Sequence, residues 1–231
     1  MKFIEELKKV AIDLYGKAED QINRWKDKVR IRTKIWKART SHFLSTLGIT
    51  AYNADYQRNP IDDKLALQCQ KFIDSDFPQG LIDRLRNLSN EERLELMKNT
   101  VLKGANIMNV NVGNVKFFSP TNEVEMCTRG YYNRAEDTIY LNAYYLLNFD
   151  MPERTEGMLR TVFHELKHAV QFSAVLDDVD YGYTDELLLT WALNIKYYVD
   201  SDDNFEAYRK QPIENDAFGW AALLDTHAES I

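Results

Sequence analysis

The residues best suited to chemistry lie in the segment 161–171, which contains the pattern His-Glu-x-x-His at His164, Glu165 and His168. On an α-helix, side chains four positions apart lie on the same face, so the two imidazoles can point at one common position. Imidazole nitrogens are good zinc ligands, and Glu165 is close enough to reach a water at that position. Two ligands, a general base and an open position for water are what a zinc-dependent peptidase needs. The spacing therefore predicts zinc chemistry with Glu165 as the general base.

The segment around this pattern is predicted to be a buried helix. Asp150, with Glu153 three residues later and Pro152 in the first turn, is the predicted helix start. A core helix whose two histidines are satisfied by structural neighbours is the alternative to a metal site. The apolar residues that recur at helical spacing are Leu159, Val162, Phe163, Leu166, Ala169 and Val170.

The composition is typical of a globular protein. A length of 231 residues, 45% of them hydrophobic, fits one domain or one domain with an appendage. Cys69 and Cys127 are too few and too far apart for a disulfide framework, which favours a reducing compartment. The sequence shows no apolar run of transmembrane length, and its charged start is unlike a signal peptide. A cytoplasmic location is the default expectation, with delivery as an effector by another route as the alternative.

The charges divide the chain into two parts. Residues 1–60 contain 13 Lys and Arg against 7 Asp and Glu, whereas the remainder is strongly acidic. An acidic body repels phosphates, so no nucleic acid partner is expected. Residues 1–55 are predicted to be a helical arm, and residues 24–39 within it are basic with aromatic anchors. That run suits an anionic membrane surface or a protein partner; a solvated helix packed on the body is the alternative.

The rest of the chain is predicted to alternate helices with a little sheet. Residues 48–60 are a predicted linker, residues 110–118 a predicted strand region, and residues 133–137 the turn of a predicted hairpin. Ser89, with Glu92 three residues on, is a predicted helix cap. Helices are predicted at 64–73, 79–87, 90–103, 183–200 and, after Pro212, at 213–226.

With these motifs, the chain resembles the zincin metallopeptidases, and more narrowly the compact bacterial zincin-like domains found as stand-alone, phage-borne or toxin modules. The resemblance covers about residues 60–226 and rests on the hairpin 130–142, the helix 164–171 and the segment 208–217. It implies an α+β fold that is mostly helical with a small β-sheet. The implied metallopeptidase domain spans 56–231 and follows the N-terminal arm.

The resemblance implies that His164 and His168 bind zinc and that Glu165 activates the water. The third ligand of the metzincins is missing, because Gln171 stands where their Gly would be and Ala174 where their third His would be. A downstream acid must then serve, as in the gluzincins.

Glu214 is the first choice for that acid, because Pro212 opens a predicted helix just before it. Glu186, on the helix between, is the second choice and Asp216 the third. The thermolysin-like pattern Asn-Glu-x-x-x-Asp is absent around all of them. The alternative role for Glu214 is that of an acid stabilised by the helix dipole.

Three functions are consistent with the sequence. The first is a peptidase whose peptide or protein substrate pairs with the edge strand of the hairpin, with Tyr208 or His227 as a donor to the oxyanion. The second is a catalytically silent zincin-like domain that binds a protein partner; the intact base Glu165 argues against it. The third is a peptidase effector delivered through the basic arm.

Overall fold

The computed structural model describes residues 58–177, 179–199 and 205–226. The predicted arm with its basic run 24–39, the boundary predicted at residue 55, and His227 lie outside the described residues. The predictions made for them remain predictions.

Within the described ranges the chain forms nine helices and three strands. The predicted α+β class, mostly helical with a small sheet, is confirmed. The elements are α1 (Pro60–Asp76), α2 (Leu81–Leu85), α3 (Asn90–Ile107), β1 (Asn114–Phe118), α4 (Glu123–Cys127), β2 (Gly130–Asn133), β3 (Thr138–Asn142), α5 (Ala143–Leu147), α6 (Pro152–Leu176), α7 (Asp185–Lys196), α8 (Phe205–Lys210) and α9 (Pro212–Ala221).

The three strands form a mixed sheet in the order β1-β3-β2. Strands β2 and β3 are antiparallel and form the predicted hairpin, in which Asp137 takes a positive φ of 47° at the end of the turn. Strand β1 runs parallel to β3, and its pairing begins only at Asn114, so Val110 and Val112 lie before the strand and not in it. Because β3 is central, β2 is an edge strand with one side available for pairing.

Helix α6 is the centre of the molecule and contains the His-Glu-x-x-His pattern. It packs against α2, α3, α7, α9 and strand β2, and the apolar residues predicted to be buried are buried. The predicted start at Asp150 is wrong: Met151 is the N-cap, and Asp150 instead accepts a hydrogen bond from the Tyr144 hydroxyl. Of the helices described, none combines the length and the apolar character needed to cross a membrane.

Side-chain caps explain where several helices begin. Asn59 accepts hydrogen bonds from backbone amides of the first turn of α1, so this helix begins at Pro60 and not at the predicted residue 64. Ser89 and Glu92 form the predicted capping box of α3. Helix α2 has no cap of its own, and the Glu156 carboxylate on α6 accepts from its first two amides at 2.8 and 3.0 Å.

Three short helices were not predicted, namely α4, α5 and α8. Asn122 caps α4 and Asn142 caps α5, but a helix of five or six residues has too little hydrophobic periodicity to be recognised. Helices α7 and α9 are shorter than predicted, and end at Lys196 and Ala221.

Candidate metal centre

Three buried donor atoms converge where α6 meets α9. His164 Nε2 lies 3.0 Å from His168 Nε2, and each lies 3.3 Å from Oε2 of Glu214. A tetrahedral zinc with bonds of about 2.0 Å has ligand atoms about 3.3 Å apart. The triangle of donors therefore has the size that zinc requires, and two imidazoles with one carboxylate are a donor set that zinc accepts. These residues could hold a metal ion.

The other two candidates for the third ligand lie elsewhere. Glu186 is exposed on α7 and is not among the described residues whose donor atoms could hold one ion with the histidines. Asp216 is buried, but its carboxylate contacts Gln171 at 2.6 Å and Lys167 at 3.3 Å. Of the three acids considered from the sequence, Glu214 is the one that the fold brings to both histidines.

Buried amide side chains position the first turn of α9. Gln211, the N-cap residue, is buried, and its side chain bonds Asn194 of α7 and both backbone groups of Val199. Asn194 in turn accepts from the Ile213 amide at 2.8 Å. The first turn of α9, which contains Glu214, is therefore held in position by hydrogen bonds to α7.

The Glu214 carboxylate is shared between a tyrosine and the histidines. The Tyr198 hydroxyl donates to its Oε1 at 2.6 Å, which leaves Oε2 for the imidazoles. Burial alone would raise the pKa of Glu214, but His168 and His164 hold it well below its ordinary value. Burial acts to lower the pKa of His168, but the charge of Glu214 and its hydrogen bond, together with the Glu165 charge and the Gln171 hydrogen bond, raise it to about 9. The three groups thus form one electrostatic unit.

A hydrogen-bond relay fixes the orientation of the His168 ring. The Gln171 amide nitrogen donates to the Ile213 carbonyl at 3.0 Å and to Asp216 at 2.6 Å, so its oxygen must face His168 Nδ1, 2.8 Å away. Nδ1 therefore donates to Gln171, which directs Nε2 toward the position of a metal, where it can bind once it loses its own proton. Among the described residues His164 Nδ1 has no such partner; its ring packs on Phe218.

This relay gives a first prediction. We expect Gln171→Leu to weaken zinc binding by about 10- to 100-fold, the usual effect of losing the group that orients a histidine ligand. Competition with a chromophoric chelator measures the affinity. Gln79→Leu, at an exposed position, is the matched control. An unchanged affinity for the Gln171 variant would show that the relay does not orient the ring.

A buried lysine lies at the end of the relay. Lys167 Nζ contacts Asp62 of α1 at 2.6 Å and Asp216 at 3.3 Å, and it also donates to the Tyr183 hydroxyl at 3.1 Å. Both Lys167 and Asp62 are fully buried. This cluster was not predicted, because no pattern in the sequence links residues 105 positions apart. The rings that surround the ammonium group are Tyr183, Trp191 and Trp220.

Glu165 lies beside the donor triangle without being part of it. Its Oε1 is 4.0 Å from His164 Nε2, and its Oε2 accepts from the backbone amide of Tyr132 in β2 at 2.8 Å. Burial raises the pKa of Glu165. Gly130 has no side chain, and a Cβ there would lie 2.7 Å from the Tyr140 carbonyl oxygen of β3 and 3.2 Å from Thr161 of α6, so the glycine allows β2 to lie close to both. The predicted base thus stands between the edge strand and the histidines.

A cleft of about 500 Å³ opens over Glu165, His168 and Glu214. Tyr208, predicted as an oxyanion donor, lines this cleft. The wall on one side is the edge strand β2. The apolar and aromatic residues that line the rest of it are Tyr132, Phe172, Ile195, Tyr198 and Ile213. A cleft of this kind, apolar with a few convergent polar groups, is typical of a ligand site.

Comparison of the chain with protein-family models, with curated proteins and with solved structures finds no match. The function that the site supports therefore follows from its donor atoms, its carboxylate and its cleft.

Proposed function

We propose that this chain is a zinc-dependent peptidase of the zincin-like, gluzincin type. The observation that supports it best is the triangle formed by His164, His168 and Glu214, with the Glu165 carboxylate held 4.0 Å from the nearest donor. A structural metal site is closed by four protein ligands, whereas a catalytic one has three and an adjacent base. The mixed sheet with its antiparallel edge strand beside the motif helix agrees with the zincin-like assignment.

The proposed chemistry divides between the metal and the chain. Zinc, when bound, polarises the scissile carbonyl and lowers the pKa of a water to about 7. Glu165 accepts the proton of that water and later delivers it to the leaving amine. The amide of Tyr132 orients the carboxylate for both transfers, and Tyr208, in the wall of the cleft, is the proposed donor to the developing oxyanion.

The substrate in this proposal is an extended peptide that adds to the free edge of β2. Tyr132 directs its amide away from β3, where it donates to Glu165. Residues of a strand alternate in this respect, so the Gly130 amide faces the same edge and is the donor proposed for the peptide. Main-chain hydrogen bonds to such an edge give affinity, and side-chain pockets give preference. The aromatic lining favours apolar side chains next to the cleaved bond.

The test is a pair of alanine variants read by zinc binding and by peptide hydrolysis. The full chain is expected to bind about one zinc per molecule. Glu214→Ala should lose zinc affinity and activity together, because two histidines alone leave the metal short of a ligand. Glu186→Ala, which removes an exposed acid from α7, should keep both. Elemental analysis and chelator competition give the first quantity, and cleavage of a peptide mixture followed by mass spectrometry gives the second.

Two results would contradict this proposal. A protein that contains no zinc after purification with the metal, and is equally stable without it, has no zinc site. A protein that binds zinc through Glu214 but cleaves no peptide is the silent, partner-binding domain considered from the sequence.

A further inference from the structure

Three arginines meet on α6, at the end of the edge strand. Arg129, the residue before β2, lays its guanidinium group against Gly157, where an added Cβ would lie 2.9 Å from Cζ. Arg154 and Arg160 stand three residues before and three residues after this glycine. Positions three apart on a helix are neighbours, so the side chains of Arg154 and Arg160 lie on either side of Arg129. The absence of a side chain at Gly157 is what allows this approach.

Two of these arginines, Arg129 and Arg154, have no acid beside them in the part of the chain that the structure describes. Within the described residues neither Arg129 nor Arg154 forms an ion pair, and Arg154 contacts only the Cys127 carbonyl at 3.4 Å. Arg129 Nε is buried and has no hydrogen-bond partner in the same part of the chain. Burial, together with the charges of Arg154 and Arg160, lowers the pKa of Arg129. A buried donor without a partner, among like charges, is a place where a bound anion is expected.

The cluster lies on the same face of α6 as the candidate metal centre. At 100° per residue, Arg154, Gly157, His164 and Glu165 fall within one sector of the helix. Gly157 precedes His164 by seven residues, which is about 10.5 Å along the axis. Strand β2 runs alongside, with Gly130 against Thr161 and Tyr132 against Glu165. An extended peptide advances about 3.3 Å per residue, so about three residues reach from the metal centre to the arginines.

We propose that Arg129 and Arg154 form a binding site for a carboxylate of the peptide substrate. The carboxylate belongs to an acidic side chain about three residues from the cleaved bond. Guanidinium groups bind carboxylates through paired, charge-assisted hydrogen bonds, and an unpaired Nε is one of the donors such a bond uses. The site would set the register of the peptide on β2, which the apolar cleft cannot do by itself. This inference rests on the proposed peptidase function.

The test measures peptide binding in the absence of turnover. The protein is the full, zinc-loaded chain with Glu165→Gln. The probes are two capped, fluorescein-labelled decapeptides with Leu and Tyr at the centre; one has Glu at the outer positions and the other has Gln. We expect the acidic peptide to bind about 10-fold more tightly at low salt, the effect of one good charge-assisted contact. Adding Arg129→Gln and Arg154→Gln should abolish the difference.

Controls separate a specific site from general charge. Arg84→Gln on α2 with Arg86→Gln at its C-cap removes the same charge from an exposed surface and should leave the 10-fold difference unchanged. If the Arg129 variant does not fold, as judged by circular dichroism, Arg154→Gln alone should still reduce the difference, because this side chain is not packed on Gly157.

Several outcomes would overturn the inference. They are equal affinity for the two peptides, failure of both to bind, and a preference that survives both arginine substitutions. If inorganic phosphate raises the melting temperature of the parent but not of the arginine variant, while the peptides bind equally, the site takes a free anion and not a substrate carboxylate. Preferential binding without cleavage by the wild-type chain would instead reject the peptidase reaction and leave the carboxylate site standing.

Discussion

Glu165→Gln is expected to keep the fold and the zinc while lowering kcat/KM for peptide hydrolysis by about 10²- to 10⁴-fold. Glutamine has nearly the shape of glutamate, and its amide oxygen can still accept from the Tyr132 amide. It cannot accept the proton of the attacking water, which is the step assigned to Glu165. The donor triangle does not include this residue, so zinc affinity should change little. Hydrolysis of a defined peptide and elemental analysis of the same preparation give the two quantities.

Glu123→Gln, an exposed substitution of the same kind on α4, is the control and should leave both quantities unchanged. Loss of zinc together with activity in the Glu165 variant would make Glu165 a ligand and would exclude it as the base. Unchanged activity would remove it from the reaction altogether.

The features that the sequence predicts correctly are those that depend on residues close together in the chain. The helical spacing of His164 and His168, the capping box of α3 and the hairpin turn all lie within a few positions, and all three were recognised. Asn and Pro are both frequent in turns, so the sequence predicts a linker at Asn59 and Pro60. In the structure the same two residues begin α1, which is their other common use. Local patterns with two common uses cannot be assigned without the tertiary contacts.

Contacts between distant segments explain what was missed. Glu214 was the first of three candidate acids, but the sequence could not show that Asp216, two residues later, contacts Gln171 and Lys167 and not a metal. Two residues along a helix differ by about 200° in direction, so the turn of α9 decides which acid meets the histidines. That turn is set by Gln211 and its contacts with α7, and no motif predicts those contacts.

Lys167→Met is expected to destabilise the protein by about 3–5 kcal/mol, because it leaves the carboxylates of Asp62 and Asp216 buried without their cation. The Lys167–Asp62 pair is 0% exposed on both sides, so water cannot replace the lost partner. For a domain of this size the melting temperature should fall by roughly 6–20 °C. The measurement is made with chelator present, so that zinc binding does not contribute to the stability.

Lys103→Met is the matched control, since its ion pair with Asp76 has a similar length of 2.7 Å but an exposed lysine. That loss should cost at most about 1 kcal/mol. Adding Asp62→Asn to Lys167→Met removes one of the buried charges and should recover part of the lost stability. If Lys167→Met and Lys103→Met lower the free energy of unfolding by the same amount, the buried ion pairs of Lys167 do not stabilise the contact between α1 and the metal centre. If Lys167→Met is destabilising, zinc affinity should fall as well. Asp216 contacts both Lys167 and Gln171, and Gln171 orients the His168 ring.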